Sequence, residues 1–302
     1  MERVNFYAGV GLDRMAERRG DAAWIEELFR AAESRLIPVW RTRNLIAEGT
    51  VPEAVFLPTA ASALDAAAAL FLGILEDRAY FAADLSHLEE QALPGLTGGR
   101  GSFMDLRAVG AVMDRRHGGL LAYARGLAYW HSRHGYCGVC GARTVSAEGG
   151  HLRRCTNPSC NAEHFPRTDP AVIMLVTHGD KCLLARNRRF PLPMYSTLAG
   201  FVEPGESLEE TVAREVYEES HIKVTDVRYQ HSQPWPFPAS IMLGFRARAV
   251  TTDIQIDGTE LMDAGWFDRA HVRATHDPEK FRTPRGDSIA RRLIDEWLAE
   301  EA

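Results

Sequence analysis

The stretch GFVEPGESLEETVAREVYEESHI, residues 200–222, combines a dense cluster of acidic side chains with apolar residues at helical spacing. On a helix, Glu215 lies three and four positions before Glu218 and Glu219, so the three carboxylates share one face. Like charges at this spacing repel, at a cost of about a few tenths of a kcal/mol per pair. A hard divalent cation, which prefers oxygen ligands, would convert that repulsion into coordination. The stretch therefore predicts a helix that presents carboxylates to a metal ion.

The residues around the acids predict where this helix begins and ends. Ser207 and Glu210 have the spacing of a capping box, so we expect the helix to start just after Ser207. Arg214 can orient a neighbouring glutamate through the fixed fork of its guanidinium group. A solvated acidic face would explain the charge alone, but it gives no role to the upstream glycines and Glu206. At His221, where glycine is the usual residue, we expect a left-handed C-cap.

The composition excludes several classes of protein. The 302 residues are 45% hydrophobic and 25% charged, which is typical of globular domains. The formal net charge of −6 argues against a general polyanion-binding surface, although it is compatible with a local basic groove. The most apolar run, residues 66–75, is too short to cross a bilayer, and we find no signal peptide or peroxisomal tripeptide. We therefore expect a cytoplasmic protein.

Apolar periodicity predicts two regions of mixed helix and strand, which flank a segment rich in cysteine and glycine. In the first region it predicts helices over residues 21–35 and 119–134, a hairpin from ALFLGIL and AYFAADL, and a glycine-rich loop over 94–102. In the second it predicts a hairpin from AVIMLV and KCLLA, the acidic helix, further strands and a last helix over 288–300. We expect an α/β fold whose first region is α+β.

Four of the five cysteines form two close pairs, Cys137 with Cys140 and Cys155 with Cys160. The spacing C-x2-C-x14-C-x4-C supplies the four thiolates of a tetrahedral zinc site, and close pairs of this kind fit a reducing compartment. Four protein ligands leave no open coordination position, so we predict one structural Zn2+. His151 or His164 could replace a thiolate, although surface roles suit them as well. The fifth cysteine, Cys182, is expected to be a small core residue.

A second distinctive stretch, SQPWPFPAS at residues 232–240, follows the acidic helix. Its three prolines stiffen a short loop that presents Trp235 and Phe237. Flat aromatic faces on a rigid loop suit stacking against a nucleobase or a nicotinamide ring. An aromatic turn packed on the core explains these residues equally well, so the pattern alone leaves both interpretations open.

The acidic stretch resembles the box of the Nudix hydrolases, G-x5-E-x7-R-E-U-x-E-E-x-G-U, in which U is an apolar residue. The chain matches this box at Gly200, Glu206, Arg214, Glu215, Val216, Glu218, Glu219 and Ile222. Only the last glycine is replaced, by His221. The resemblance implies an α/β/α sandwich and the Mg2+- or Mn2+-dependent hydrolysis of a nucleoside diphosphate linked to another moiety.

The aromatic loop sharpens this resemblance. SQPWPFPAS matches every fixed position of SQPWPFPxS, the motif of the NADH pyrophosphatase subfamily of Nudix hydrolases. A four-cysteine ribbon before the Nudix domain and a further N-terminal domain are also typical of that subfamily, as is a homodimer. The resemblance thus implies an N-terminal α+β domain over residues 1–134, a zinc ribbon over 135–168 and a Nudix domain over 169–302.

The resemblance also implies roles for particular residues. Two or three Mg2+ or Mn2+ ions would be held by Glu215, Glu219, Glu260 and the backbone carbonyl of Ala199. Either Glu218 or Glu219 would take the proton of the attacking water, and Arg214 would orient a glutamate. The implied substrate-binding residues are Arg107, Phe165, Phe201, Gln233, Pro234, Trp235, Pro236, Phe237, Pro238, Ala239, Ser240 and Ala290. Phe165 stands at a position that is tyrosine in some relatives, and Arg107 is placed by a looser alignment.

The implied reaction is hydrolysis of the pyrophosphate of NADH or NAD+ to NMN(H) and AMP. Some members of the subfamily also remove NAD caps from RNA, so we expect dinucleotides as partners, NAD-capped RNA as a candidate further partner, and no membrane. An alternative is a zinc-ribbon regulatory or nucleic-acid-binding module whose Nudix domain binds a dinucleotide without cleaving it. His221 in place of the box glycine favours that alternative, whereas the complete set of spaced glutamates favours an enzyme.

Overall fold

The computed structural model describes residues 4–60, 64–189, 191, 193–256, 258–274 and 281–300. The chain forms two compact units. We call Phe6–Thr168 together with Trp235–Ala239 the N-terminal unit. The C-terminal unit consists of Met1–Asn5, Asp169–Pro234 and Ser240–Ala302. Residues 235–239 of the aromatic loop therefore belong to a different unit from the rest of the stretch 232–240.

The N-terminal unit is built on a seven-stranded sheet. Its strands are β1 (Arg35–Trp40), β2 (Arg43–Ala47), β3 (Glu53–Ala54), β4 (Leu57–Pro58), β5 (Leu70–Leu75), β6 (Arg78–Asp84) and β7 (Ser102–Met104). The order is β3-β2-β1-β6-β5, with β4 paired to β1 and β7 paired to β2. The predicted hairpin is present as β5 and β6, and its turn residues Glu76 and Asp77 both have positive φ. Such a turn matches the right-handed twist of the strands.

Four α-helices accompany this sheet in the described residues. They are α1 (Ala22–Arg30), α2 (Leu93–Thr97), α3 (Leu106–Val109) and α4 (Arg115–Arg133). Two separate apolar cores follow, one that includes α4 and one that includes α1. The predicted first helix ends five residues early, at Arg30, and α4 begins four residues before the predicted start because Asp114 caps it. The unit is α+β, as predicted.

The stretch predicted as a glycine-rich loop contains the short helix α2. Pro94 is at the start of this helix, where a missing N–H costs no hydrogen bond, and Gly98 ends it in the left-handed conformation. The prediction counted the glycines and the proline as loop residues, whereas here they are the two end signals of a helix.

A small antiparallel sheet of three strands contains Cys155, the last residue of its middle strand. Its strands are β8 (Thr144–Ala147), β9 (Leu152–Cys155) and β10 (Glu163–His164), in the order β10-β9-β8. Its register aligns Thr144 with Cys155 and Glu163 with Arg154. This sheet is the ribbon expected of the cysteine spacing.

The C-terminal unit is a six-stranded sheet between helices. Its strands are β11 (Asp169–His178), β12 (Lys181–Asn187), β13 (Leu198–Phe201), β14 (Val224–Trp235), β15 (Ser240–Ala249) and β16 (Leu261–Asp268). The order is β14-β15-β11-β12-β16, β13 pairs with β11, and β11 and β15 are parallel. The helices are α5 (Leu208–Ser220), α6 (Arg269–Arg273) and α7 (Ile289–Ala299).

The two faces of this second sheet bury different helices. Val212 and Val216 of α5 belong to one core, and Leu293 and Trp297 of α7 belong to another. Cys182 lies fully buried in the second of these cores, as predicted for a small apolar residue. The helix–sheet–helix layering confirms the predicted α/β/α sandwich. No helix in the described part of the chain is long and apolar enough to cross a membrane.

Candidate active site and zinc site

The acidic helix begins where its sequence predicted. Ser207 is the N-cap of α5, and its hydroxyl accepts a hydrogen bond from the backbone N–H of Glu210. The Glu210 carboxylate accepts in return from the backbone N–H of Ser207 at 2.8 Å, which completes the capping box. This cap sets the register of the helix, and with it the direction in which the downstream glutamates project.

Arg214 is the central cation of the acidic cluster. Its guanidinium group donates two hydrogen bonds to Glu206, at 2.6 and 2.9 Å. It also donates to Glu215 at 2.8 Å, to Glu218 at 2.9 Å and to the backbone carbonyl of Phe201 at 2.9 Å. The pairing with Arg214 lowers the pKa of Glu206 to about 2, so Glu206 stays ionised. One planar fork thus ties the loop before α5 to the acidic face of the helix.

Glu215 lies directly against the backbone of Gly200 in β13. A β-carbon built on Gly200 would come within 1.8 Å of Cδ and 2.0 Å of Oε1 of Glu215. No side chain fits in that space, because real β-carbons do not approach other heavy atoms within 3.0 Å. The first glycine of the predicted box is therefore required for the close approach of this carboxylate.

Glu219 is the most buried acid of the cluster. Burial, together with the charges of Glu260 and Glu215, raises the pKa of Glu219 to about 8 against an opposing hydrogen bond from Ala199. Its Oε2 atom is buried and has no hydrogen-bond partner among the described residues. A buried carboxylate oxygen without a partner is costly unless a proton or a cation occupies it.

Glu260 reaches the cluster from the end of a loop. It precedes β16, and its side chain accepts a long hydrogen bond of 3.4 Å from Asn187. Its charge acts on both Glu215 and Glu219, and burial is the larger cause of the raised pKa of Glu215. The structure thus brings together residues that are 45 positions apart in the sequence.

The donor chemistry of this cluster fits a hard divalent cation. All of its side-chain ligand atoms are carboxylate oxygens, which a hard divalent cation prefers, and one of them is the buried Oε2 of Glu219, which accepts no hydrogen bond from the described residues. The carboxylates are not gathered as tightly as the four cysteines, which form the one compact group of metal-binding side chains in the described residues. Arg214 accounts for part of this spread, since it pairs with Glu215 and Glu218.

His221 caps α5 in the predicted left-handed conformation, with φ 59° and ψ 12°. Its N–H donates to the carbonyl of Tyr217, and its Nδ1 lies 3.0 Å from the carbonyl oxygen of Gln255. The ring of His221 is also 5.2 Å from that of Tyr217. The histidine therefore replaces the box glycine as a C-cap, and its side chain contacts Gln255 and Tyr217.

The residues of the aromatic loop differ in what they contact. Gln233 is fully buried, and its amide donates to the carbonyl of Asp287 at 2.7 Å and accepts from the N–H of Ile289 at 2.8 Å. This side chain fastens β14 to the start of α7. The prediction that Gln233 lines a substrate pocket is not tested by this arrangement, but the side chain has a structural task.

Trp235 and Phe237 form an aromatic cluster with Tyr7 inside the N-terminal unit. The ring centroids of Trp235 and Phe237 are 5.0 Å apart, and Tyr7 lies 6.4 Å and 5.8 Å from them. Arg107 and Arg125 place their guanidinium carbons 4.7 Å and 4.9 Å from the centroid of Phe237. The remaining predicted loop residues, Pro234, Pro236, Pro238, Ala239 and Ser240, range from exposed Pro238 to buried Pro236 and Ser240.

The other predicted substrate residues are placed as follows. Phe165 in the N-terminal unit is 55% exposed and Phe201 in the C-terminal unit is 59% exposed, so both rings are available to a ligand. Ala290 is buried in the first turn of α7, and its N–H donates to the Ser288 hydroxyl. Arg125 was not predicted, because an arginine within the alternating small and apolar residues of α4 has no local signal of a partner 112 positions away.

The four paired cysteines converge as predicted. The sulfur atoms of Cys137, Cys140, Cys155 and Cys160 all lie within 4.8 Å of one another. Backbone N–H groups point at these sulfurs, and those near Ala142 lower the pKa of Cys140 to about 7, which favours the thiolate. Four sulfur donors at this separation match a structural zinc site. His164 does not replace a thiolate but lies beside one, with its Nε2 3.3 Å from Sγ of Cys137.

His151 lies apart from the sulfur cluster. Its Nε2 is 2.8 Å from the carbonyl oxygen of Phe71 and 3.2 Å from the hydroxyl of Tyr123. Burial lowers the pKa of His151 to about 4, so it is neutral at physiological pH. It joins the ribbon segment to β5 of the N-terminal sheet.

Three family models match the chain. They are described as the NUDIX domain (residues 167–287), the NADH pyrophosphatase-like rudimentary NUDIX domain (33–130) and the NADH pyrophosphatase zinc ribbon domain (132–165). Together they include the acidic helix, the aromatic loop and the four cysteines.

Curated relatives agree with these models. The NAD-capped RNA hydrolase NudC of Mycobacterium bovis is 37% identical over 318 aligned positions, which cover 100% of this chain and 97% of that protein. The NAD-capped RNA hydrolase NUDT12 of Homo sapiens is 45% identical over 197 positions, or 62% of this chain and 43% of that protein. The chain therefore spans less than half the length of the human relative. A solved NUDIX hydrolase from Nitrosomonas europaea aligns at 21% identity over 49% of this chain and 96% of that chain, with a TM-score of 0.37.

Proposed function

The chain belongs to the Nudix hydrolase family, and from that premise we propose that it hydrolyses the pyrophosphate bond of NADH or NAD+, releasing NMN(H) and AMP. The observation that carries this proposal is the buried Oε2 of Glu219, which lies beside Glu215 and Glu260 and has no hydrogen-bond partner in the described part of the chain. Such a cluster is stabilised by a proton or by a cation, and a divalent cation held by carboxylates neutralises the charge that develops when a diphosphate is cleaved. Mg2+ and Mn2+ both suit these oxygen donors.

Each residue of the cluster has a proposed task. Glu215, Glu219, Glu260 and the carbonyl of Ala199 would hold the divalent ions, which supply charge stabilisation for the diphosphate and lower the pKa of a water molecule. Arg214 holds Glu215 and Glu218 in place, and Glu206 in turn fixes Arg214. Glu218, which is 58% exposed, or Glu219 would accept the proton of the attacking water. These assignments follow from the resemblance to the family box, and the proximity of Glu215, Glu219 and Glu260 supports them.

The identity of the substrate is proposed from the aromatic residues and from the relatives. A dinucleotide offers two flat rings and a diphosphate, and exposed Phe165 and Phe201 together with the loop at Trp235 and Phe237 offer ring faces. We propose these residues, with Gln233, Ala290 and Arg107, as the substrate-binding set. The zinc ribbon would be structural and the divalent ions catalytic.

Product analysis tests the proposal. Purified protein is incubated with NADH, NAD+ or ADP-ribose, with Mg2+, with Mn2+ or with excess chelator, and AMP is quantified by chromatography. We expect AMP and NMN(H) from NADH or NAD+ only when a divalent ion is present. Saturable NADH binding without any AMP would instead support the alternative of a dinucleotide-binding module.

Removal of NAD caps from RNA is a second candidate activity. It is favoured by the relatives named NAD-capped RNA hydrolase, one of which aligns with the whole chain. The test compares kcat/KM for NADH and for NAD-capped RNA on one preparation over a range of salt concentrations. A steep fall with salt for the RNA alone would indicate contacts with several phosphates, since each such contact releases counterions. Equal salt dependence would indicate that only the cap is bound.

Three further predictions stay as proposals. The matched family models support a boundary near residue 134 and another near 168. The homodimer and the cytoplasmic location are predictions that follow from the resemblance and from the composition. Sedimentation velocity over a hundredfold range of protein concentration would test the homodimer.

A further inference from the structure

Arg125 is a buried cation at the centre of α4, a helix whose neighbouring side chains are apolar. The residue is 7% exposed, while Leu121, Ala124 and Ala128 around it are 0–2% exposed. Burial lowers the pKa of Arg125, and Asp105 opposes this effect. A buried charge is costly unless specific partners compensate it, so this arginine requires a reason to be there.

The contacts of Arg125 lead to the aromatic loop. Its Nη1 donates to the carboxylate of Asp105 at 3.1 Å, and its guanidinium carbon lies 4.9 Å from the centroid of the Phe237 ring. Its Nε atom is buried without a hydrogen-bond partner among the described residues. The group is therefore only partly satisfied by Asp105, and the phenyl ring is its second compensating contact.

The ring of Phe237 has two guanidinium groups beside it, those of Arg125 and Arg107. Arg107 lies 4.7 Å from the same ring, and the backbone N–H of Arg107 is capped by Asp105, the residue that also anchors Arg125. Two guanidinium groups at one ring repel each other, which lowers the pKa of Arg125 further. The face of the Phe237 ring attracts both guanidinium groups, and the carboxylate of Asp105 pairs with that of Arg125.

We propose that Arg125 is a positioning residue, which, anchored by Asp105, holds the ring of Phe237 and thereby fixes the orientation of loop 235–239. The inference rests on the proposed function in one respect, namely that this loop contacts the substrate. It also assigns a task to the N-terminal unit, because α4 and Asp105 belong to that unit and the loop packs within it.

A purely structural role for Arg125 makes a different prediction. If the arginine only joins α3 to α4 through Asp105, then its loss lowers stability and leaves the loop unchanged. If it positions Phe237, then its loss changes the environment of that ring and weakens substrate binding more than turnover. A spectroscopic signal from residue 237 separates the two cases.

The test places 4-fluorophenylalanine at position 237 in the zinc-loaded protein of 302 residues and records its 19F NMR signal. We expect Arg125→Met to shift and broaden the signal, Arg125→Lys to restore most of it, and Asp105→Asn to give an intermediate shift. Arg153→Met is the matched control, because Arg153 is a partly buried arginine of the same unit that contacts Thr144 and His131 instead. It should leave the signal unchanged.

Kinetics with NADH and Mg2+ give the second measurement. We expect Arg125→Met to raise KM roughly tenfold while kcat changes by less than about threefold, and Arg125→Lys to recover most of the affinity. An unchanged 19F signal in a folded Arg125→Met protein overturns the proposal, as does a changed signal with unchanged KM. If the wild-type protein does not hydrolyse NADH at all, the proposed function fails, and the 19F comparison still decides whether Arg125 holds Phe237.

Discussion

Gly200 and Glu215 approach so closely that a β-carbon on Gly200 would lie 1.8 Å from Cδ of Glu215. The glycine is in β13 and the glutamate is in α5, so the contact joins the sheet to the acidic helix. It places a carboxylate against a strand backbone, which only a residue without a side chain permits. This relationship explains the first glycine of the box.

Gly200→Ala should therefore displace the Glu215 carboxylate and disrupt the proposed metal site. We expect the rate of metal-dependent NADH hydrolysis to fall by at least about a hundredfold, because a displacement of a catalytic group by about 1 Å has an effect of that order. Circular dichroism should show an intact fold. Gly126→Ala is the control, since a β-carbon there meets no atom within 4 Å. Near-normal activity of Gly200→Ala would contradict the role of the close contact.

Glu219→Gln should abolish turnover while it stabilises the metal-free protein at alkaline pH. The amide of glutamine has the shape of the carboxylate but lacks its negative charge, so it binds a divalent cation poorly. We therefore expect kcat to fall by orders of magnitude. The substitution also removes the carboxylate that would be buried in its charged form above pH 8, which is why the metal-free protein should be more stable there. Activity assays and chemical denaturation with chelator present measure both effects. A folded Glu219→Gln protein with wild-type kcat would rule out this glutamate as a ligand or base.

The metal-free protein should lose stability as pH rises from about 4.5 to about 8. The native state raises the pKa of Glu219 to about 8, so across this window the folded protein keeps a proton that the unfolded chain has lost. The stabilising contribution is complete below the pKa of the unfolded chain and disappears as pH passes through the pKa of the folded protein, with a size on the order of 5 kcal/mol. Denaturant titrations at several pH values with chelator would show the slope, and Glu219→Gln should flatten it.

Binding of Mg2+ or Mn2+ at pH 7 should release a proton for the same reason. The protonated Glu219 must lose its proton before it can act as a ligand. Calorimetry in two buffers with different ionisation enthalpies measures the number of protons, which should be close to one at pH 7 and close to zero at pH 9. A metal affinity that is flat from acid to alkaline pH would count against the buried acid.

The purified protein should contain one zinc ion per chain, and zinc removal should unfold the ribbon. The four sulfurs are already within 4.8 Å of one another, and few apolar residues are buried in β8–β10, so the metal supplies most of the local stability. Cys140→Ser should reduce the zinc content well below one. Cys182→Ala is the matched control, because Cys182 is buried in the other unit and should leave the stoichiometry unchanged.

His221→Gly should change stability little and leave activity unaltered. Glycine relieves the left-handed strain, which is worth about 1 kcal/mol, but it forfeits the contact of Nδ1 with the Gln255 carbonyl, of similar size. Thermal denaturation and steady-state kinetics measure the two quantities. A large loss of activity would show that the histidine takes part in the chemistry.

Local patterns in the sequence were sufficient for the elements whose interactions are short-range. The capping box at Ser207, the left-handed cap at His221 and the cysteine pairs all involve residues within a few positions or with a characteristic spacing. These features depend on hydrogen bonds and on ligand geometry between residues that are close in the sequence. The residue pattern is therefore sufficient to predict them. Helix ends were less well predicted, since the caps at Asp114 and Gly98 compete with other signals nearby.

By itself, the sequence determined the acidic helix, its register and a four-thiol zinc site, because each depends on contacts between near neighbours. Only the tertiary structure decided that Glu215 lies against Gly200, that Gln233 is a buried tie to α7, and that Phe237 is held by Arg125. Those contacts join residues that are 15 positions apart (Gly200 and Glu215), 56 positions apart (Gln233 and Ile289) and 112 positions apart (Arg125 and Phe237), and how sheets and helices pack sets their distances. No periodicity in the chain encodes that packing, so it is visible only in the folded molecule.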